Sequence, residues 1–344
     1  MSGIDYRDSG VNIDEGLRAV DLMKKEVKRT FNKNVLSELG HFGGLFRADF
    51  PGMTEPVLVG SMDGVGTKLK VAALKNDYTT VGRDLVNHCV NDILVQGAHP
   101  LFFLDYIACG KLDASVAADI VTGLARACSE NDCALLGGET AEMPGFYNTG
   151  DYDVAGTIIG AVDKGKIIDG TAVAPGHGIV GLPSSGLHTN GYSLARAVLF
   201  EKAALSVNAH HATLGDDTVG EALLKVHRSY LKQVMPLLDQ GLVTGMAHIT
   251  GGGIPGNLVR ILPDGCGASI TPGWPVPPVF KLIKELGGIA EVEMRRAFNL
   301  GAGFLIVTPE PAEVFKLLSQ AGEKPFHAGV ITQGSSIEYE EEGA

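Results

Sequence analysis

Val57-Leu58-Val59-Gly60-Ser61-Met62-Asp63-Gly64-Val65-Gly66-Thr67-Lys68 is the stretch on which the reading of this chain turns. Val57–Ser61 reads as a short strand, and it opens into a loop with glycines at 64 and 66 and a lysine at 68. The two glycines let the backbone approach an anion closely, and Lys68 is long enough to reach a phosphate. Asp63 is a hard oxygen ligand of the kind magnesium takes while riding on substrate phosphates. The spacing G-x-x-x-x-G-K-[ST] is absent, so this is no P-loop. Taken alone, a plain glycine turn with a solvated lysine explains the loop equally well.

Outward from this loop the chain alternates strands and helices, which predicts layered α/β domains. Asn12 and Glu15 have capping-box spacing. Leu17, Val20, Met23, Val27 and Phe31 follow at steps of three and four, the mark of one buried helical face. Thr80–Gln96 reads as a helix closed by Gly97, and Leu101–Cys109 as a buried strand. Asp113 caps a helix to about Asn131, with Ala134–Leu136 and Val154–Val162 as strands beyond it. The polar stretch 163–170 divides the chain into expected domains 1–168 and 169–344. The second domain has strands at Gly178–Leu182, Val243–Ile249, Gly303–Thr308 and His327–Thr332. Its expected helices are Tyr192–Ala204, Thr218–Leu238, Pro255–Leu262 and Ala312–Ala321.

Composition narrows the class. Hydrophobic residues are 45% of the 344, enough for large cores and too many for a disordered chain. The 46 glycines cluster in loops such as Gly251-Gly252-Gly253 and do not recur every third residue, which excludes collagen. Lys and Arg number 28 against 40 Asp and Glu, a net charge of −12 that argues against nucleic-acid or anionic-membrane binding. The cysteines (89, 109, 128, 133 and 266) form no CxxC pair and no zinc spacing, and their odd number suits reduced thiols in a cytosol. The start lacks a basic segment followed by an apolar one, and no apolar run is long enough to span a membrane. A cytoplasmic α/β enzyme is the expectation.

Further chemistry-bearing groups extend the loop's argument. Asp84, His88 and Asp92 lie at i, i+4 and i+8 and share one helical face, with Asn87 and Asn91 beside it. The rest of that helix is apolar, so carboxylates buried on it need a partner or a metal; a wet helix edge is the plainer alternative. His88 alone fits a structural role. Glu139 follows an apolar strand, where α/β sheets bind ligands at their carboxyl ends; Glu142 carries a weaker signal. Ser184–Gly191 joins a strand to a helix and offers Ser185, His188, Thr189 and Asn190 for a phosphate or a carbonyl oxygen. Thr250-Gly251-Gly252-Gly253 is a second candidate anion cradle. Plain turns and N-caps explain both loops equally.

Together these segments resemble the phosphoribosylformylglycinamidine cyclo-ligase family, also called aminoimidazole ribonucleotide (AIR) synthetase. The strings that carry the resemblance are Tyr6–Val11, Asp63–Lys68, Cys89-Val90-Asn91-Asp92, Gln96-Gly97-Ala98, Pro100–Tyr106, Gly137–Gly145, Asp151–Gly156, His188–Leu194 and Thr250–Gly253. They run in order over almost the whole chain. Asp63–Lys68 and Asn91-Asp92 alone mark only a superfamily, with selenophosphate synthetase, thiamine-monophosphate kinase and formylglycinamide ribonucleotide amidotransferase. The Pro100–Tyr106, Glu139–Gly145 and His188–Gly191 strings select the cyclo-ligase.

The resemblance implies ATP-dependent ring closure of formylglycinamidine ribonucleotide in purine biosynthesis. It implies an N-terminal domain for ATP and dimerisation, its sheet forming a barrel across a homodimer. A C-terminal α/β domain takes the substrate phosphate, and the cleft between the two holds the substrate. Asp63, Asp92 and Glu139 would hold Mg2+ on ATP, with K+ as a further candidate ion. Lys28, Gly43, Gly44, Gly64, Gly66, Thr67, Lys68 and Asn91 would contact the nucleotide. Ser185, His188, Thr189, Asn190, Gly251 and Gly252 would bind substrate, with His188, Asn190 and Lys68 at the chemistry. Two rivals stay open: a small-molecule kinase of the same superfamily, like thiamine-monophosphate kinase, and a non-catalytic nucleotide-holding module.

Overall fold

The computed structural model describes residues 10–340; the Tyr6–Ser9 part of the first string lies outside the described residues. Among the described residues the backbone forms two compact units, one of residues 10–93 with 99–163, the other of 94–98 with 164–340. The change of unit after Asp163 falls inside the polar stretch 163–170.

In the first unit, α1 (Ile13–Arg29) precedes β1 (Pro56–Gly64), α2 (Lys68–Lys75), α3 (Val81–Leu94), β2 (His99–Cys109), α4 (Ala114–Glu130), β3 (Ala134–Glu142) and β4 (Tyr152–Asp163). The sheet order is β1-β4-β2-β3. β4 runs antiparallel to both neighbours, and β2 and β3 are parallel. One face of this sheet is covered: Phe103, Ile107, Val154 and Ile158 are buried there with the apolar sides of α3 and α4. The helices meet backbone to backbone, since a Cβ on Gly82 would lie 2.1 Å from the Ile120 carbonyl oxygen. Only glycine permits that approach.

Asn12 caps α1 by accepting the Glu15 N–H, as its spacing predicts. Glu15 does not return the bond: its carboxylate accepts the Ala114 N–H, and Glu142 takes the Asn12 N–H instead. Glu142 also accepts the Leu112 N–H at 2.8 Å, so it is a tie between segments. The predicted apolar face of α1 needs correction. Ala19, Met23 and Val27 are buried, whereas Leu17 and Val20 are exposed. The helix rests on α4 along the 19-23-27 line, and the stripe continues past that contact into open surface.

The second unit contains β5 (Gly178–Pro183), α5 (Tyr192–Arg196), α6 (Val219–Leu223), α7 (Leu231–Asp239), β6 (Gly245–His248), α8 (Gly253–Leu258) and β7 (Cys266–Ile270). Then come α9 (Pro278–Gly287), α10 (Glu291–Ala297), β8 (Ala302–Thr308), α11 (Pro311–Gln320), β9 (Phe326–Gln333) and β10 (Ile337–Tyr339). The sheet order is β10-β7-β9-β5-β8-β6. Every residue of β8 is buried, and each fully buried Leu, Ile, Val or Phe contributes about 1.5–3 kcal/mol.

The helix expected over Thr218–Leu238 is two helices with an irregular segment at 224–230 between them. Tertiary bonds hold that segment open. The Val226 carbonyl accepts the Ser185 hydroxyl at 2.5 Å. Arg228 and the Tyr230 hydroxyl both donate to the Pro183 carbonyl.

Candidate active site

In the first unit, three of the expected residues meet where β1 ends beside α3. His88 Nε2 lies 2.8 Å from Asp63 Oδ2 and 3.6 Å from Asp92 Oδ2. Ser61 Oγ donates to Asp92, and the Gly64 N–H donates to the other Asp63 oxygen at 2.6 Å. The side chains of Asp63 and Asp92 are 41% and 27% exposed, and His88 is buried behind them. Burial disfavours the His88 cation, yet the Asp63 hydrogen bond and the Asp92 charge outweigh it and raise the imidazole above its usual value. Two wet carboxylates set around one histidine suit a hard, partly hydrated cation such as magnesium. Gly66 adopts φ +67°, which a side chain would strain. Asn91 is buried on α3.

Lys68 does something other than expected. Its ammonium lies 2.8 Å from Asp84 Oδ2, and both side chains are 0% exposed. Burial pushes the Lys68 ammonium down, and the Asp84 carboxylate pulls it back up. Asp84 is therefore the partner of a buried lysine and not a third carboxylate beside His88. Lys68 faces the core at the first turn of α2.

Glu139 is also corrected. It is not at a strand exit, because β3 continues to Glu142. Residues directly paired across a sheet share a face. Asp63, Gly156, Asp105 and Gly138 form one such row, and a Cβ on Gly138 would sit 2.3 Å from Asp105 Oδ1. The next row is Gly64, Ala155, Tyr106 and Glu139. Side chains alternate along a strand, so Glu139 points from the opposite face to Asp63, three strands away, about 14 Å. One chain cannot close Asp63, Asp92 and Glu139 around a single ion. Glu139 instead shares the outer face with the segment at residues 35–46: Phe46 packs on Phe102 at 5.2 Å. Gly44 sits so close to Leu136 that an added Cβ would be 2.3 Å from its Cγ. Gly43 adjoins it, and Lys28 ties to the same segment through Glu38 at 2.7 Å. The nucleotide candidates thus form two groups on two faces.

In the second unit the expected residues converge. β5 and β6 are both antiparallel to β8, so they run parallel and release their loops at one sheet edge, about 10 Å apart. A Cβ on Gly251 would lie 3.4 Å from Asn190 Oδ1, so the two loops touch. Asn190 Nδ2 is buried with no hydrogen-bond partner among the described residues, the condition of a group awaiting a ligand. Gly252 has φ +97° at the start of α8. Ser185 lies in the same loop, its hydroxyl committed to Val226. His188 is buried with φ +63°, a strained value for a non-glycine residue. Gly303 makes room for it: a Cβ there would lie 2.9 Å from the imidazole Cε1.

Two residues were missed. His227 stacks on His188 with ring centroids 3.9 Å apart, and His248 Nε2 lies 3.0 Å from His227 Nε2. His227 was hidden because its segment reads as helix. His248, in the strand before Thr250-Gly251, carried no spacing signal.

Two sheets of this kind, one ending in wet carboxylates and the other in paired anion-friendly loops, define an α/β enzyme for phosphorylated substrates. Residues 50–162 match the family model "AIR synthase related protein, N-terminal domain", and residues 174–340 match "AIR synthase related protein, C-terminal domain". The chain is 50% identical over 345 residues to the phosphoribosylformylglycinamidine cyclo-ligase of Desulfitobacterium hafniense (strain DSM 10664 / DCB-2), covering 98% of this chain and 99% of that one. It is 48% identical over 338 residues to the cyclo-ligase of Alkaliphilus metalliredigens (strain QYMF), covering 97% of each. The fold is shared with thiamine-monophosphate kinase from Stenotrophomonas maltophilia K279a (TM-score 0.67, 14% identity, 94% of this chain and 97% of that one). It is shared too with the hydrogenase maturation protein HypE in complex with ATP (TM-score 0.63, 19% identity, 94% and 88%). The chain belongs to the AIR synthase related family, among its phosphoribosylformylglycinamidine cyclo-ligases.

Proposed function

We propose that the first unit holds ATP with magnesium, that the second binds formylglycinamidine ribonucleotide, and that the chain closes its imidazole ring to give AIR. The observation that carries this reading is end-to-end identity near one half with relatives named for that reaction. The paired loops of the second unit add a site of fitting chemistry. The kinase reading gains nothing, because a likeness at 14% identity speaks for fold alone.

The formamide oxygen of the substrate is a poor leaving group. Moving the γ-phosphoryl group of ATP onto it gives an iminophosphate and ADP. The neighbouring amidine nitrogen then attacks that carbon, phosphate departs with the oxygen, and loss of a proton leaves the aromatic ring. Such chemistry needs positioning and charge neutralisation above all. Asp63 and Asp92 would hold magnesium, which neutralises phosphate charge. Gly64, Gly66, Thr67 and Asn91 lie in or beside that cluster, where they support nucleotide binding. Asn190, His188, Thr189 and the Gly251-Gly252 backbone would grip the ribonucleotide. Lys68 acts from behind, by fixing α2 to α3 through Asp84.

The part of the outer sheet face that residues 35–46 leave open supports a homodimer. Leu58 and Met62 on β1 and Leu104 and Tyr106 on β2 are 37–67% exposed and form a patch of the kind that marks an interface. A second copy over that face would form the family's barrel and bring Glu139, Gly43, Gly44 and Lys28 to the boundary between copies. Five free, buried cysteines support a reducing, cytoplasmic setting, and no helix among the described residues is long and apolar enough to cross a membrane. Asp63→Asn should lower ATP-dependent turnover at least about 100-fold while thermal unfolding stays put. A near-normal rate would remove Asp63 from the metal role.

A further inference from the structure

Beneath the loop after β5 lie three buried imidazoles, His188, His227 and His248. His188 and His227 are stacked within 17° of parallel, with centroids 3.9 Å apart. His227 Nε2 is 3.0 Å from His248 Nε2, and His227 Nδ1 is 3.4 Å from Thr189 Oγ1. The Ser185 N–H donates to His188 Nε2 at 3.2 Å.

One ligand nitrogen from each ring lies within 4.8 Å of the others, a spacing that metal ligands also show. The stack argues against an ion. An imidazole lone pair lies in the plane of its ring, so two near-parallel rings aim their lone pairs side by side and not at one point. His188 Nε2 is moreover already an acceptor.

Granting the function proposed above, we propose that His227 is a positioning residue that holds His188 as the neutral imidazole with its hydrogen on Nδ1. His188 then meets the substrate as a hydrogen-bond donor and not as a base. A ring nitrogen that accepts an N–H is bare, so the hydrogen of neutral His188 sits on the other nitrogen. Protonating Nε2 would set it against the Ser185 N–H. The flat face of His227 stops His188 from rolling over, which would put Cε1 where Nε2 now accepts the Ser185 N–H and so lose that bond. His248 and Thr189 fix the plane of His227 in turn. Two other polar neighbours in this unit bring no net charge to His188. Tyr230, 6.4 Å from His188, is kept neutral by burial and donates to Pro183. Behind it Arg228 is neutralised by Glu323 through two bonds of 2.8 Å. A neutral N–H donor suits an oxygen that gathers negative charge as it leaves with phosphate.

The test uses the full chain labelled with 15N-histidine, the His188 signals being assigned by their loss in His188→Ala. Side-chain 15N–1H correlation should show wild-type His188 neutral and protonated on Nδ1 at pH 7.5. His227→Ala should mix the tautomers and lower kcat about 10–100-fold, with KM for the ribonucleotide changed less than about threefold. His227→Phe keeps a flat stacking face without nitrogens. It should restore the tautomer and bring kcat back to within about fivefold. An Nε2-protonated or cationic His188 in the wild type overturns the proposal, as does a His227→Ala enzyme with tautomer and rate intact. Should His227→Ala fail to fold, the Phe variant decides: a retained tautomer supports the lock and a lost one overturns it. If no AIR forms but the Nδ1–H signal is present and depends on His227, the assigned function falls and the lock stands.

Discussion

Lys68 shows how one residue's chemistry is decided by depth. In the sequence it ends a phosphate-like loop; in the fold it is sealed against Asp84 with no exposure. A buried pair that loses one member leaves an uncompensated charge, at about 3–5 kcal/mol. Lys68→Met should therefore lower the unfolding temperature markedly, and Lys68→Met with Asp84→Leu should recover most of it. An unchanged unfolding temperature with a raised KM for ATP would return Lys68 to the phosphates. Asp105 offers a titration. Burial raises its carboxyl to about 7, whereas the unfolded chain releases that proton near pH 4. The folded state binds the extra proton between these values, so stability falls as pH rises through about 4 to 7, and the full penalty persists above. Asp105→Asn should thus gain more in unfolding temperature over wild type at pH 8 than at pH 5. Equal gains at both would contradict the raised carboxyl.

Among elements, the first-unit sheet carries the strongest consequence. The strings Val57–Ser61, Leu101–Cys109 and Val154–Val162 were legible as strands because they are rich in β-branched, aromatic and other apolar residues. The face each residue takes was not, since that depends on which strands pair. β3 extends through Gly137-Gly138-Glu139, and the bulge near Phe103 and Leu104 sets its parity. That parity splits Glu139 from Asp63. The registers of β1 and β2 on β4 leave Leu58, Met62, Leu104 and Tyr106 outward. Met62→Glu should convert a dimer to monomers in sedimentation analysis, with each monomer still folded by circular dichroism; a monomeric wild type would end the dimer proposal. The failed helix at 224–230 has a parallel cause. Its local propensity is helical, but its carbonyl and side chains bond to the β5 loop, and no local pattern announces a partner forty residues away.

At the scale of the whole molecule, the family was readable from ordered motifs, because each motif is a local backbone requirement: a left-handed glycine, a cap, a loop after a strand. What stayed hidden is what folding brings together from distant positions, namely His227 with His188, Lys68 with Asp84, and Glu139 away from Asp63. The central claim is ring closure driven by ATP. Its most direct measurement is incubation of the purified protein with formylglycinamidine ribonucleotide, ATP and magnesium, with products identified by mass spectrometry. The account predicts AIR, with one ADP and one free phosphate per ring closed. A stable phosphorylated acceptor without a ring, or a tightly held nucleotide with no turnover, would contradict it.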